Sequence, residues 1–149
     1  MRKFIMILSF VLFGSAFATA QNVDTRMQDK HKKWSLVYQA IGQVESRGKA
    51  DAVSRDGLYV GYLQISKILV RACNQIAGYQ KYTYNDRYSK EKSIQMFIDF
   101  QEYYNPEGNI ERAIRLWNSG DLNCMNHKAA TERYYQRVMS SYTGLAKLQ

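Results

Sequence analysis

The feature that most constrains this chain is a helical stripe that breaks off, loses its period over one stretch, and then resumes. From Trp34 the apolar side chains fall at Val37, Tyr38, Ile41 and Val44, the spacing of a single buried helix face. The pattern gives way at "ESRGKADAVSRDGLYVGYLQIS", residues 45–66. There Ala52-Val53-Ser54, the turn pair Asp56-Gly57, Leu58-Tyr59-Val60 and Tyr62-Leu63-Gln64-Ile65 read as a small hairpin or irregular β element. Gly61 marks a point where backbone can approach a ligand closely. Helical spacing then returns at Ile68, Leu69, Ala72, Cys73 and Ile76, and Gly78 stops it. After a polar, tyrosine-rich loop from Tyr79 to Tyr88, Ser89 is placed to cap a helix bearing Ile94, Phe97, Ile98 and Tyr104, with Pro106 beyond its end. Asn109 is placed to cap the next, whose stripe is Ile110, Ala113, Ile114 and Trp117 before Gly120. A last helix carries Tyr134, Val138 and Tyr142. The expected fold is mainly α: a single helical domain with a small β-hairpin excursion after its first helix, without repeats or linkers.

The start of the chain bears on where it works. Arg2 and Lys3 precede an almost unbroken apolar run from Phe4 to Phe17, which closes on Ala18-Thr19-Ala20. This predicts a secretory signal peptide over residues 1–20. The run is shorter than the ~20 apolar residues a membrane span needs, so no membrane anchor is expected after cleavage. A mature chain from Gln21 to Gln149 is one domain's length, exported to the periplasm or the exterior and expected as a monomer. Without Arg2 and Lys3 the 21 basic residues fall to 19 against 13 acidic ones, a formal charge of +6. Such a surface favours an anionic partner; nucleic acid, anionic lipid and a cell wall with free stem-peptide carboxylates all qualify, and export favours the wall. Plain solubility accounts for the charge equally well.

Cysteines Cys73 and Cys124 in an oxidising compartment suggest a disulfide, with two buried thiols as the alternative. Neither cysteine has CxxC spacing, and His31 and His127 form no paired-ligand pattern, so no metal or cofactor is expected.

Glu45 is the residue that asks for an explanation. It lies eleven positions after Trp34, only ~20° away around a helix axis, and therefore on the apolar face. It also falls in the last helical turn before Gly48, where the helix dipole disfavours negative charge. Burial and dipole both raise a carboxyl's pKa, the condition for a glutamic acid that donates a proton near neutrality. The plainer alternatives are a pair with Arg47, or a helix that ends earlier and leaves Glu45 exposed. Asp56 is the candidate for a second carboxylate, although an Asp-Gly pair is more simply a turn.

These residues resemble a known family. Glu45-Ser46, then Ala52-Val53-Ser54, Gly57 and Gly61-Tyr62-Leu63-Gln64-Ile65, are similar to the Glu-Ser … Ala-Val-Ser … Gly … Gly-Leu-Met-Gln-Ile pattern of soluble lytic transglycosylase (SLT) domains, which have a lysozyme-like fold. "AIRLWNSG", Ala113 to Gly120, resembles the Ala-x-x-x-Tyr-Asn-Ala-Gly stretch of that family, and "TERYYQRV", Thr131 to Val138, its closing Thr-Arg-x-Tyr-Val segment. The resemblance runs over residues 34–140. It implies a peptidoglycan lytic transglycosylase with Glu45 as general acid/base, cleaving the β-1,4 bond between N-acetylmuramic acid and N-acetylglucosamine and leaving 1,6-anhydromuramoyl ends. It further implies substrate contacts at Ser46, Tyr62, Gln64, Asn118 and Tyr134, with Tyr134 orienting the acid and Ser46 serving as a local hydrogen-bond partner. Glycan strands of peptidoglycan are the implied partner, no cofactor is implied, and proteins of this kind accompany envelope-spanning assemblies.

The departures are specific. Leu63 stands for the family's Met, Tyr62 for its Leu, Trp117 for a tyrosine and Ser119 for an alanine, changes that bear on saccharide subsites more than on the acid. "GYLQIS" also resembles a segment of animal-type lysozymes, which carry an aspartate two residues before the glycine; this chain has Tyr59 there. A retaining hydrolase would lack its nucleophile. A hydrolytic muramidase with a base elsewhere, and a non-catalytic wall-binding assembly subunit, are the alternatives.

Overall fold

The computed structural model describes the backbone of residues 11–148 and side chains from residue 23 onward. The expected signal peptide, residues 1–20, lies outside the residues whose side chains are described. Among the described residues no helix is long and apolar enough to cross a membrane. The chain divides into two units, Met1–Lys33 and Trp34–Gln149. The first is helical over its described backbone. The second carries the packed core and the residues singled out in the sequence.

Helix α1 (Val11–Ser46) ends where Arg47 and Gly48 both take positive φ, 56° and 80°. The Arg47 N–H reaches the carbonyl of Gln43 and the Gly48 N–H that of Gly42, satisfying carbonyls that the last turn leaves open. A two-residue antiparallel pair comes next, β1 (Tyr59–Val60) with β2 (Ile65–Ser66), in the register Tyr59 to Ser66 and Val60 to Ile65. Val53 bridges Val60 on the other side. The excursion is therefore shorter than its apolar letters suggest, because Gly61 to Gln64 form the turn rather than strand.

Helix α2 (Lys67–Ala77) starts on Ser66, whose hydroxyl accepts from the Leu69 N–H, and stops at Gly78 in the left-handed region, φ 76°. A 3₁₀ turn over Tyr84–Tyr88 lies within the tyrosine-rich loop. Helix α3 (Lys90–Tyr104) is capped by Ser89 and α4 (Ile110–Ser119) by Asn109, each accepting from an N–H three residues on, as the cap positions predicted. Gly120, φ 65°, closes α4. Helix α5 (Lys128–Ala146) completes the chain without a side-chain cap. Among the described residues, five α-helices and one two-stranded sheet make a mainly helical protein.

The stripes read from the sequence meet in one core. Trp34, Val37 and Ile41 from α1 join Val70 and Cys73 from α2, Phe97 and Ile98 from α3, Ile114 and Leu116 from α4, and Val138 from α5. Gly61 serves this packing rather than a ligand. It has φ 82°, its N–H donates to the Ala52 carbonyl at 2.7 Å, and a Cβ there would collide with the carbonyl oxygen of Arg87. The suggested disulfide is corrected too: Cys73 and Cys124 are separate buried thiols. The Cys73 Sγ donates to the Met96 carbonyl at 3.6 Å across the α2–α3 contact, and burial pushes this thiol up to about 12.

Candidate active site

Glu45 sits in the last turn of α1, half-buried, and its carboxylate accepts a hydrogen bond from the Tyr134 hydroxyl, Oη to Oε1 2.6 Å. The two residues are 89 positions apart, so α5 must dock at the end of α1 for the pair to exist. One turn further along α5, the guanidinium of Arg137 donates to the Val44 carbonyl at 3.4 Å. Thus α5 presents one side chain to the carboxyl and a second to the carbonyl end of the helix that bears it.

Burial pushes the Glu45 carboxyl above its ordinary value, and the Tyr134 hydrogen bond and the positive charge of Arg137 pull only part of the way back. Burial, reinforced by the adjacent carboxylate, holds the Tyr134 phenol well above its ordinary value, so the phenol keeps its proton and acts as donor. Arg47, the partner that the sequence offered, is exposed, and its side chain is not the one that meets Glu45.

The carboxyl opens onto a groove of about 650 Å³. Among the described residues that line it, Glu45 is the only carboxylate. Asp56 lies outside that lining, at the exposed turn, where it accepts from the Ser54 hydroxyl at 2.6 Å and the Leu58 N–H at 3.0 Å. Those bonds hold its carboxyl below the usual range, the state of a structural turn aspartate. Among the described residues no group of three or more His, Cys, Asp or Glu side chains is gathered in a way that could hold a metal ion.

Gln64 and Asn118 both border the groove. The Gln64 amide nitrogen donates to the carbonyls of Ala52 at 3.2 Å and Gly61 at 3.0 Å, and the residue takes φ 51°, unusual for a side chain larger than glycine. That strained, tethered conformation holds the amide at the groove wall. Asn118 is exposed at the end of α4. Ser46 and Tyr62 are corrected as substrate contacts. The Ser46 hydroxyl is buried and shares its one proton between the carbonyls of Gly42 at 3.0 Å and Tyr62 at 2.8 Å, tying the end of α1 to the turn. Tyr62 is itself buried in the core, its ring beneath the Lys90 ammonium at 4.7 Å, and neither residue lines the groove.

Two features of the site escape the sequence reading. Arg137 was within reach, because its spacing of three from Tyr134 puts both on one helix face. The groove positions Ile68, Phe100, Tyr104 and Leu122 were not, since periodicity separates core from solvent but does not distinguish a groove wall from either. No protein-family model matches the chain, and no curated protein or solved structure matches it either.

Proposed function

We propose that this protein is an exported peptidoglycan lytic transglycosylase with a lysozyme-like helical body, in which Glu45 is the single general acid/base. The observation that carries this reading is the Glu45–Tyr134 pair: a half-buried carboxyl with a raised pKa, held by a phenol that stays protonated, at the edge of an open groove. A raised pKa keeps the carboxyl protonated closer to neutrality, so that it can donate to a glycosidic oxygen.

In the proposed reaction Glu45 transfers its proton to the oxygen of the β-1,4 bond as the bond to muramoyl C1 breaks. The hydrogen bond from Tyr134 steadies the carboxylate that remains. The substrate's 2-acetamido oxygen stabilises the electron-poor C1, the muramoyl C6 hydroxyl closes on it, and Glu45 recovers its proton from that hydroxyl. The products are a free N-acetylglucosamine 4-hydroxyl and a 1,6-anhydromuramoyl end, with no water consumed. Such a route requires one carboxyl, in keeping with Glu45 as the lone carboxylate among the described residues along the groove. A retaining hydrolase would need a second one ~5 Å away. Asn118, and Gln64 through its amide oxygen since both its N–H groups are given to the Ala52 and Gly61 carbonyls, are suited to hold sugar hydroxyls or acetamides beside it.

The test is to incubate residues 21–149 with purified peptidoglycan and weigh the released muropeptides. Ends lighter by one water than reducing ends are expected, and Glu45→Gln should lower their release by ~10³-fold or more. Reducing muramic ends would replace the transglycosylase with a hydrolytic muramidase. Binding without release by the unaltered protein would replace it with a wall-binding assembly subunit.

A further inference from the structure

The groove is chemically lopsided. Three of the four aromatic side chains among the described lining residues stand together on two helices, Phe100 and Tyr104 on α3 and Trp117 on α4, with Tyr59 coming from β1, whereas α2 contributes the aliphatic Ile68, Leu69 and Ala72. The aromatic side is also rigid. Trp117 packs against Phe97 at 5.0 Å and Phe100 at 6.2 Å between ring centres, and Phe97 in turn meets the buried Trp34 at 5.9 Å. Tyr104 is held between Phe100 at 4.9 Å and Tyr103 at 4.8 Å, while both the Nε and Nη2 of Arg112 donate to its carbonyl at 3.3 Å. These rings are anchored from behind by the core, so a ligand that meets them need not order them first.

A second observation points to what that ligand presents. Three apolar groove residues remain open to water: Ile68 is 70% exposed, Leu122 48% and Tyr59 46%. An apolar rim around a groove that also holds Gln64, Asn118 and Glu45 calls for a ligand with flat apolar faces and polar edges. A pyranose whose substituents are all equatorial has that shape, because its axial C–H bonds leave both faces apolar while every hydroxyl or amide lies at the edge.

We propose that Tyr104 and Trp117, backed by the buried Phe100, form a saccharide-stacking wall, and that Tyr104 is the residue by which the groove recognises the ring faces of an all-equatorial β-linked amino-sugar strand. The assignment rests on the glycan reading of the groove, and adds to it the binding surface and the feature of the sugar that this surface reads.

The test uses the hexamer of β-1,4-linked N-acetylglucosamine as probe, titrated calorimetrically into the protein in a Glu45→Gln background so that the sugar is not consumed. Tyr104→Leu, which retains apolar bulk but removes the flat ring, should weaken binding by about tenfold, and Tyr104→Phe should stay within about twofold of the parent. In the parent, nuclear Overhauser contacts are expected between axial sugar protons and the Tyr104 and Trp117 rings, a readout that requires no substitution at the wall. Unchanged affinity in Tyr104→Leu, an equal loss in Tyr104→Phe, absent ring contacts in the bound state, or no binding of the hexamer would each overturn the proposal. Failure here and failure of the reaction separate cleanly. Anhydromuramoyl product with Tyr104-independent affinity refutes only the stacking wall; Tyr104-dependent affinity without product refutes only the chemistry.

Discussion

Three influences set the charge of Glu45: burial favours the neutral acid, while the Tyr134 hydroxyl and the Arg137 guanidinium favour the carboxylate. Removing either of the last two should therefore raise the carboxyl's pKa further. Tyr134→Phe is expected to shift the high-pH limb of kcat/KM upward, since the general acid stays protonated to higher pH, and to lower kcat by ~10-fold through lost orientation. Arg137→Gln should move the limb in the same direction but by less, because that side chain is exposed and solvent screens it. A pH–rate profile on peptidoglycan checks both; a limb that moves downward would contradict the assigned roles. The same raised pKa governs stability. Below the ordinary carboxylate range the folded and unfolded chains both hold the proton, so the buried site carries no ionisation cost. As pH rises through that range the unfolded chain ionises first, and stability falls until the folded carboxyl ionises as well. Glu45→Gln should accordingly raise the Tm by a few degrees at neutral pH, with the gain vanishing at about pH 4 in calorimetric scans.

Short elements hold this residue in place, and they depend on close approach. The turn from Gly61 to Gln64 is fastened on one side by the Ser46 hydroxyl on the Tyr62 carbonyl, and on the other by the contact of Gly61 with the Arg87 carbonyl. Gly61→Ala should cost more than about 3 kcal/mol in urea unfolding, since the new Cβ meets backbone and φ is positive. A near-neutral result would mean that the turn yields and that its geometry matters less than its contacts imply. The caps at Ser89 and Asn109 were readable in the sequence because capping is local: a hydroxyl or amide reaches an N–H three residues away in the same segment. The extent of the hairpin was not readable. Apolar letters at Tyr62 and Leu63 mark burial, and burial serves a turn pressed into the core as well as it serves a strand.

At the scale of the whole molecule, the pairing of α4 with α5 decides whether there is a site. Arg115, almost wholly buried, joins them by donating to Glu111 at 2.9 Å, the Lys128 carbonyl at 2.8 Å, the Thr131 hydroxyl at 2.9 Å and Glu132 at 2.7 Å, and it lies 4.3 Å from the Tyr135 ring centre. Arg115→Met should destabilise the protein by about 2–4 kcal/mol, because several acceptors lose a buried donor at once. Activity should then fall with temperature earlier than in the parent, in step with unfolding. Thiol titration offers a further check on the assembled core: the native protein should react slowly at pH 8, and the denatured chain should expose two free thiols. A single residue's place on a helix face, the caps, the mainly helical class and the apolar stripes were all legible in the sequence alone, because each rests on spacing within one segment. What only the tertiary structure decided was which distant groups meet. It brought Tyr134 and Arg137 to the end of α1, turned Ser46 and Tyr62 inward, kept the two cysteines apart, and set Phe100, Tyr104 and Trp117 along one side of a groove. The reason is physical: a stripe records that a face is buried, but the partner that buries it is chosen by packing among all the helices together.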